Sequence, residues 1–332
     1  MRAYSDLLCC PKCAQDLSFI EEHLDCTGCG RSFAISDGIP MGFWPTDDAE
    51  VHADVTMMVK EFYEETPFPH YNNFDSAASL AQLAREGIFA KMLDEQLPPG
   101  SRVIECGCGT GQFSNFLSMA NREVFATDMC ENSLRLGQAF ANRHHLDHVH
   151  FVQMNLFRPI FKPETFDLVI SNGVLLTTFD PFQGFESIAK LVKPGGHILI
   201  GLYHRYGRLI TDARRVIFRH SGGRFHGLDP NLRNPDWSAD RKRAWFADQY
   251  MHPNETKHTI GQVLEWFEQT GFTFVKSLPR SKPFQPITES DSLFEEEDPG
   301  NALERFLVEF PMMFKGSREG GFYTMIGRRD HI

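Results

Sequence analysis

The chain has 332 residues and a formal net charge of −11. Its hydrophobic content of 42% excludes bulk disorder, and the absence of an apolar run of spanning length excludes a membrane-embedded chain. The charge is uneven, since residues 204–243 hold ten Lys or Arg against four Asp; this local +6 leaves about −17 on the rest, which disfavours an extended polyanion as partner.

In chain order, the first signal is Cys10-Pro-Lys-Cys13 followed, after twelve residues, by Cys26-Thr-Gly-Cys29. Two such knuckles at this separation fit a tetrahedral zinc ribbon held by Cys10, Cys13, Cys26 and Cys29. Cys9 can replace Cys10 only by losing the two-residue spacing. No signal peptide is expected at the start, so the sequence predicts a reducing cytoplasm, which favours zinc over disulfides.

Residues 46–94 are expected to form a linker, a lid and a helix over 79–93, with Ser79-x-x-Gln82 at its start resembling a capping box. The stretch from Phe62 to Phe74 combines prolines with closely spaced aromatics. It reads either as a hydrophobic strap over a sheet edge or as a lid over a pocket, with Tyr63, His70 and Tyr71 as pocket candidates.

Residues 101–112 form an apolar strand running into Glu105-x-Gly107-x-Gly109-x-Gly111 and then into the helical pattern of Phe113, Phe116 and Leu117. Glycines at alternate positions let backbone approach a ligand closely, and the next helix starts with N–H groups aimed at it. Alone, the motif fits a dinucleotide fold, an S-adenosylmethionine fold or a tight strand-to-helix turn. A second strand ends in Asp128, placed to accept from ribose hydroxyls. Further strands are expected at 149–154, closed by Asn155-Leu156-Phe157, at 166–174, and at 197–203 after the turn Lys193-Pro-Gly-Gly196.

Together, Glu105-Cys-Gly-Cys-Gly-Thr-Gly111, Asp128, Asn155, Phe166-Asp-Leu-Val-Ile-Ser-Asn172 and Leu191-Val-Lys-Pro-Gly-Gly196 resemble class I S-adenosylmethionine-dependent methyltransferases of the type 11-like group. The resemblance covers roughly residues 95–278 and the end of the chain. It implies a doubly wound α/β fold, a seven-stranded sheet of order 3-2-1-4-5-7-6 with the seventh strand reversed. It also implies that Glu105 and backbone around Gly107, Cys108, Gly109, Gly111 and Gln112 lie under the methionine part of the cofactor. Asp128 would hold the ribose, Met129 and Leu156 flank the adenine, Asn155 accept from the adenine amine, Asn172 lie near the sulfonium, and Tyr71 belong to the cover. Most relatives have Asp at the position of Asn155, and many carry two histidines where this chain has Leu176-Thr177-Thr178, so no catalytic histidine is expected there. Residues 5–45 resemble the small zinc-ribbon proteins that activate RNA and protein methyltransferases, which implies a structural zinc.

The methyltransferase domain is expected over 95–332, after a ribbon over 1–45, with insertions at 204–252 and 279–318. Tyr203, His204, Arg205 and Tyr206 follow a strand end and are expected to face the acceptor, with Arg208 in a positive collar for an anion such as a carboxylate or phosphate. The other reading is a solvated basic helix paired with the acidic run near residue 295. Asp248 to His258 places titratable groups before a helix opened by the capping box Thr259-x-x-Gln262 and closed by Gly271. Strands are expected at 272–278 and 321–327, with Phe306–Phe314 as a cavity wall or a dimer contact. The resulting expectation is a cytoplasmic methyltransferase using S-adenosylmethionine and structural zinc on a small, anionic acceptor. RNA and an activator-like scaffold are alternatives, a homodimer is open, and His204, Tyr206, His70 and His258 are the catalytic candidates.

Overall fold

The computed structural model describes residues 2–45, 50–65, 69, 71, 76–222, 224–252, 254–315 and 321–331. A four-stranded antiparallel sheet is built from β1 (Leu17–Ile20), β2 (His23–Cys26), β3 (Ser32–Ser36) and β4 (Ile39–Pro40). Three helices follow: α1 (Glu50–Glu65), α2 (Ala77–Glu86) and α3 (Ile88–Gln96). The expected single helix over 79–93 is thus two, because Gly87 is extended (φ −82, ψ 118), ending α2 and opening α3. The capping box also lies three residues earlier than expected, between Ser76 and Ser79.

The α/β domain then runs β5 (Arg102–Cys106), α4 (Gln112–Ser118), β6 (Glu123–Asp128), α5 (Glu131–His144), β7 (Val149–Gln153), β8 (Phe166–Asn172), α6 (Pro181–Ala189) and β9 (Val192–Tyr203). After α7 (Leu209–Ser221), α8 (Ala239–Phe246) and a π-turn at Ala247–Met251 come α9 (Ile260–Thr270), β10 (Phe272–Leu278), α10 (Ala302–Glu309), α11 (Met312–Lys315) and β11 (Phe322–Arg329). The seven-stranded sheet has the order β10-β11-β9-β8-β5-β6-β7, and β11 runs antiparallel to both neighbours. In terms of the domain's own strands this is the expected 3-2-1-4-5-7-6. The strand order reverses between β5 and β8, which opens a crevice beyond their carboxyl ends.

Local sequence explains most boundaries. Thr259 and Gln262 form the expected capping box on α9, and Gly271 ends that helix at φ 74. Lys193-Pro-Gly-Gly196, however, lies inside β9 and does not precede it. Between Phe166↔Val192 and Leu168↔His197, β9 advances five residues against two on β8, a bulge that Gly195 permits at φ 76.

The amino-terminal sheet is joined to the domain through the exposed edge of β7. Met41 pairs in parallel with Gln153, the Gly42 N–H donates to the Gln153 carbonyl at 3.0 Å, and Leu8 bridges Phe161. One apolar cluster runs from Leu24 and Phe33 into Ile104 and Phe125. The ribbon therefore covers an otherwise unpaired sheet edge and shares the domain's core. Of the later segments, α7 and the π-turn pack around Phe218 and Tyr250. The acidic run is neutralised locally, Glu297 by Lys276 at 2.5 Å, Asp291 by Arg280 at 2.6 Å and Glu296 by Arg328 at 2.5 Å, and not by the basic stretch.

Candidate active site and metal centre

The four ribbon cysteines converge: the sulfurs of Cys10, Cys13, Cys26 and Cys29 lie within 4.8 Å of one another. Sulfurs tetrahedrally bound at about 2.3 Å from zinc sit near 3.8 Å apart, and the Cys10–Cys29 and Cys13–Cys26 pairs are at 3.8 and 3.4 Å. The N–H groups of Gly28 and Cys29 each point at the Cys26 sulfur at 3.4 Å, as favours a thiolate. An all-thiolate set suits a closed zinc site, and Cys9 is buried outside it.

The crevice at the sheet's switch point is a cavity of about 500 Å³. One wall, which holds the expected cofactor residues, is built by the ends of β5 and β6. Gly107, Gly109 and Gly111 all have positive φ (81, 54 and 71), and a Cβ on Gly107 would lie 2.4 Å from Val174. Asp128 fixes this turn, accepting from the Gly109 N–H at 2.8 Å and the Cys130 N–H at 2.9 Å. Glu105 is buried and accepts from the Ser114 hydroxyl. Burial, with the nearby Asp128 charge, pushes Glu105 up to about 7, and burial likewise raises Asp128. Each of these carboxylates, and the Asn155 carbonyl that accepts from the Phe157 N–H at 3.1 Å, retains acceptor capacity toward a ligand.

The opposite wall comes from α1, the end of β9 and the π-turn. Val55, Val59 and Tyr63 of α1 line the cavity on this side. Glu64 anchors it by accepting from the Glu131 and Asn132 N–H groups at 2.9 and 3.0 Å, which caps α5. Pro69 also lines the cavity and its carbonyl accepts from the Thr110 hydroxyl at 2.5 Å. Asp248 accepts from the Tyr63 hydroxyl at 3.0 Å and from Gln249 Nε2 at 2.8 Å; Gln249 also donates to the Tyr203 hydroxyl at 2.7 Å. Behind them, Arg208 is fully buried, stacks 3.7 Å above the Tyr203 ring and donates twice to Glu255, which Arg215 meets at 2.8 Å.

Ten of the twelve expected cofactor residues line this cavity; Gly111 and Tyr71 do not. Gly111 caps α4, while the Tyr71 hydroxyl donates to the Thr110 carbonyl at 2.9 Å and braces the glycine turn from outside. Among the catalytic candidates, His204, Tyr206 and His258 are absent from the wall, and His70 lies outside the described residues. Strand alternation is the cause: Tyr203 faces the cavity, so His204 turns to the other side, where its Nε2 is 3.1 Å from Glu309. Backbone pairing of His204 with His258 carries His258 the same way, against Trp266. Arg208, expected in an anion collar, is taken up by Glu255, and Arg205 is exposed outside the wall. Sequence reasoning singled out the 248–258 segment and named His258 from it, whereas the lining residues come from its other end. The cavity takes Asp248 and Gln249 from the π-turn, His252 from its carboxyl end, and Glu255 from the segment that follows.

Residues 104–200 match the family model described as a methyltransferase domain. Residues 3–38 match that of Trm112p-like protein, so the chain carries a methyltransferase domain behind a Trm112p-like zinc ribbon. It is 30% identical over 221 residues to an uncharacterised protein of Synechococcus sp., covering 59% of this chain and 52% of that one. It is 28% identical to the ubiquinone biosynthesis O-methyltransferase of Vibrio cholerae over 32% of this chain and 43% of that one. The chain spans about half the length of the curated relatives it matches. The structure of PKMT2 from Rickettsia typhi in complex with AdoHcy shares the fold, with a TM-score of 0.51 at 15% identity over 74% of this chain and 52% of that one. Among the described residues, no helix is long and apolar enough to cross a membrane.

Proposed function

We propose that the chain is an S-adenosylmethionine-dependent methyltransferase acting on a small molecule, with a ribbon that binds structural zinc. One observation carries this reading: a single cavity joins Glu105, the glycine turn and Asp128 to a separate polar and aromatic wall beneath α1. Within it, Glu105 and the turn would lie under the methionine part, Asp128 would accept from the ribose hydroxyls, and the Asn155 carbonyl would accept from the adenine amine. The cofactor supplies a methyl group already activated on sulfur. The protein's share is then orientation of the acceptor and exclusion of water, tasks that suit a lidded cavity and require no histidine.

Calorimetry with S-adenosylhomocysteine tests the reading. Asp128→Ala should weaken binding by about 1.5–3 kcal/mol, the range for hydrogen bonds to a charged acceptor; unchanged affinity in that variant would overturn the assignment. An RNA substrate is the second reading, favoured by the Trm112p-like match and by the exposed Arg219, Arg224, Arg233 and Arg241. It predicts an RNA complex whose affinity falls steeply with salt and is lost when Arg241, Lys242 and Arg243 are neutralised.

A further inference from the structure

The acceptor side of the cavity carries a charge pattern opposite to the one a small anion needs. Among the described lining residues there are four carboxylates, Glu105, Asp128, Asp248 and Glu255, and no Lys or Arg. Glu105 and Asp128 belong to the cofactor wall. Glu255 is paired with Arg208 and Arg215. Asp248 is different, because its hydrogen-bond partners among the described residues, the Tyr63 hydroxyl and Gln249 Nε2, are both neutral.

A second observation points to a ligand at the same place. His252 lines the cavity, is only 4% exposed, and its Nε2 has no hydrogen-bond partner among the described residues. Its Nδ1 accepts from the Asn254 N–H at 3.2 Å, so in the neutral ring the proton sits on Nε2. Among the described residues, that leaves a buried N–H donor without an acceptor near a carboxylate whose hydrogen-bond partners are neutral, and whose charge is felt by Arg208 while that guanidinium is paired with Glu255. Tyr63, Tyr203 and Trp245 complete the wall, and aromatic faces attract cations while giving an anion nothing.

Building on the methyltransferase reading, we infer that the acceptor is a small amine, whose protonated nitrogen pairs with Asp248 while an oxygen of the same molecule accepts from His252 Nε2. A carboxylate or phosphate in this position would meet Asp248 as a like charge. The anionic acceptor expected from the basic stretch is thereby replaced by a cationic one.

The test uses the full chain saturated with S-adenosylhomocysteine and two matched pairs of probes: tyramine with 4-hydroxyphenylacetate, and serotonin with 5-hydroxyindole-3-acetate. Calorimetry should find each amine binding at least about tenfold more tightly than its carboxylate, as one desolvated ion pair provides. Asp248→Asn should abolish that preference and Asp248→Glu retain it, with S-adenosylhomocysteine affinity within about twofold of wild type in both as the control for folding. Equal or tighter carboxylate binding, or no amine binding up to millimolar concentration, overturns the inference. So does an Asp248→Asn variant that keeps the amine preference but loses affinity for S-adenosylmethionine relative to its demethylated product, since the carboxylate would then serve the sulfonium. Failure of the wild-type chain to bind S-adenosylhomocysteine at all would instead remove the methyltransferase reading on which the inference rests.

Discussion

With the cofactor placed as proposed, Glu105 would couple its binding to pH. Its folded pKa, near 7, lies above the ordinary value of 4.5, so the ligand-free fold favours the protonated form. Stability from this group is therefore complete at low pH and declines as pH rises from the ordinary carboxylate range through about 7. We expect Glu105→Gln, which keeps an acceptor for Ser114, to stabilise the ligand-free protein by about 1–3 kcal/mol at pH 8 and by progressively less toward pH 5. Urea unfolding at several pH values measures this, and a pH-independent difference would contradict it. A cationic cofactor should favour the ionised acid, so wild-type affinity should rise with pH through neutrality with proton release, and Glu105→Gln should flatten that rise. The glutamate's position was legible from its spacing to the glycines. Its titration was not, because burial is set by the strands and lid packed around it.

The lid is an element whose order depends on one charge. The Glu64 carboxylate on the α5 amino terminus is the charged tie of α1 to the domain, beside the neutral Tyr63–Asp248 hydrogen bond and the apolar face of the helix. Burial opposes ionisation of Glu64, but Lys60 and the Asn132 and Glu131 N–H groups outweigh it and hold the acid below its usual range. Glu64→Ala should cost about 1 kcal/mol, the usual worth of a cap. Amide exchange should accelerate over residues 55–65 and at the start of α5, with β5 and β6 unaffected. Uniform acceleration across the sheet would show that the anchor is not local. Sequence alone left the Phe62–Phe74 stretch between strap and lid, since aromatic and proline content marks a sticky element without saying what it covers; most of that stretch lies outside the described residues. The split at Gly87 escaped for a related reason: the periodicity continues through it, and only packing required the break.

At the scale of the whole molecule, the ribbon and the domain are joined at Met41–Gln153, at Leu8–Phe161 and through a common apolar cluster. The link reaches the cofactor wall, because the Trp44 carbonyl accepts from Asn155 Nδ2 at 2.8 Å. Loss of zinc should therefore do more than unfold residues 1–45. We expect chelation, or Cys26→Ser with Cys29→Ser, to lower the melting temperature of the entire chain in one transition and to weaken S-adenosylhomocysteine binding several-fold. A separate low-temperature transition with cofactor affinity preserved would show that the ribbon melts independently.

The sequence by itself determined the cysteine pairs, the strand–glycine–helix junction, the acid at the end of β6, the caps of α9 and, through family resemblance, the strand order. Each of these is written in residues close together in the chain, where spacing and turn chemistry are enough. The tertiary structure decided which side chains meet in the cavity. Strand alternation sends Tyr203 inward and His204 away, and a π-turn brings Asp248, Gln249 and His252 together. Arg208 is spent on Glu255 across 47 residues of sequence, which is why a stretch that is basic as a sequence contributes no cation to the described cavity wall. Charge composition counts residues, whereas a ligand meets only those that packing and ion pairing leave facing it.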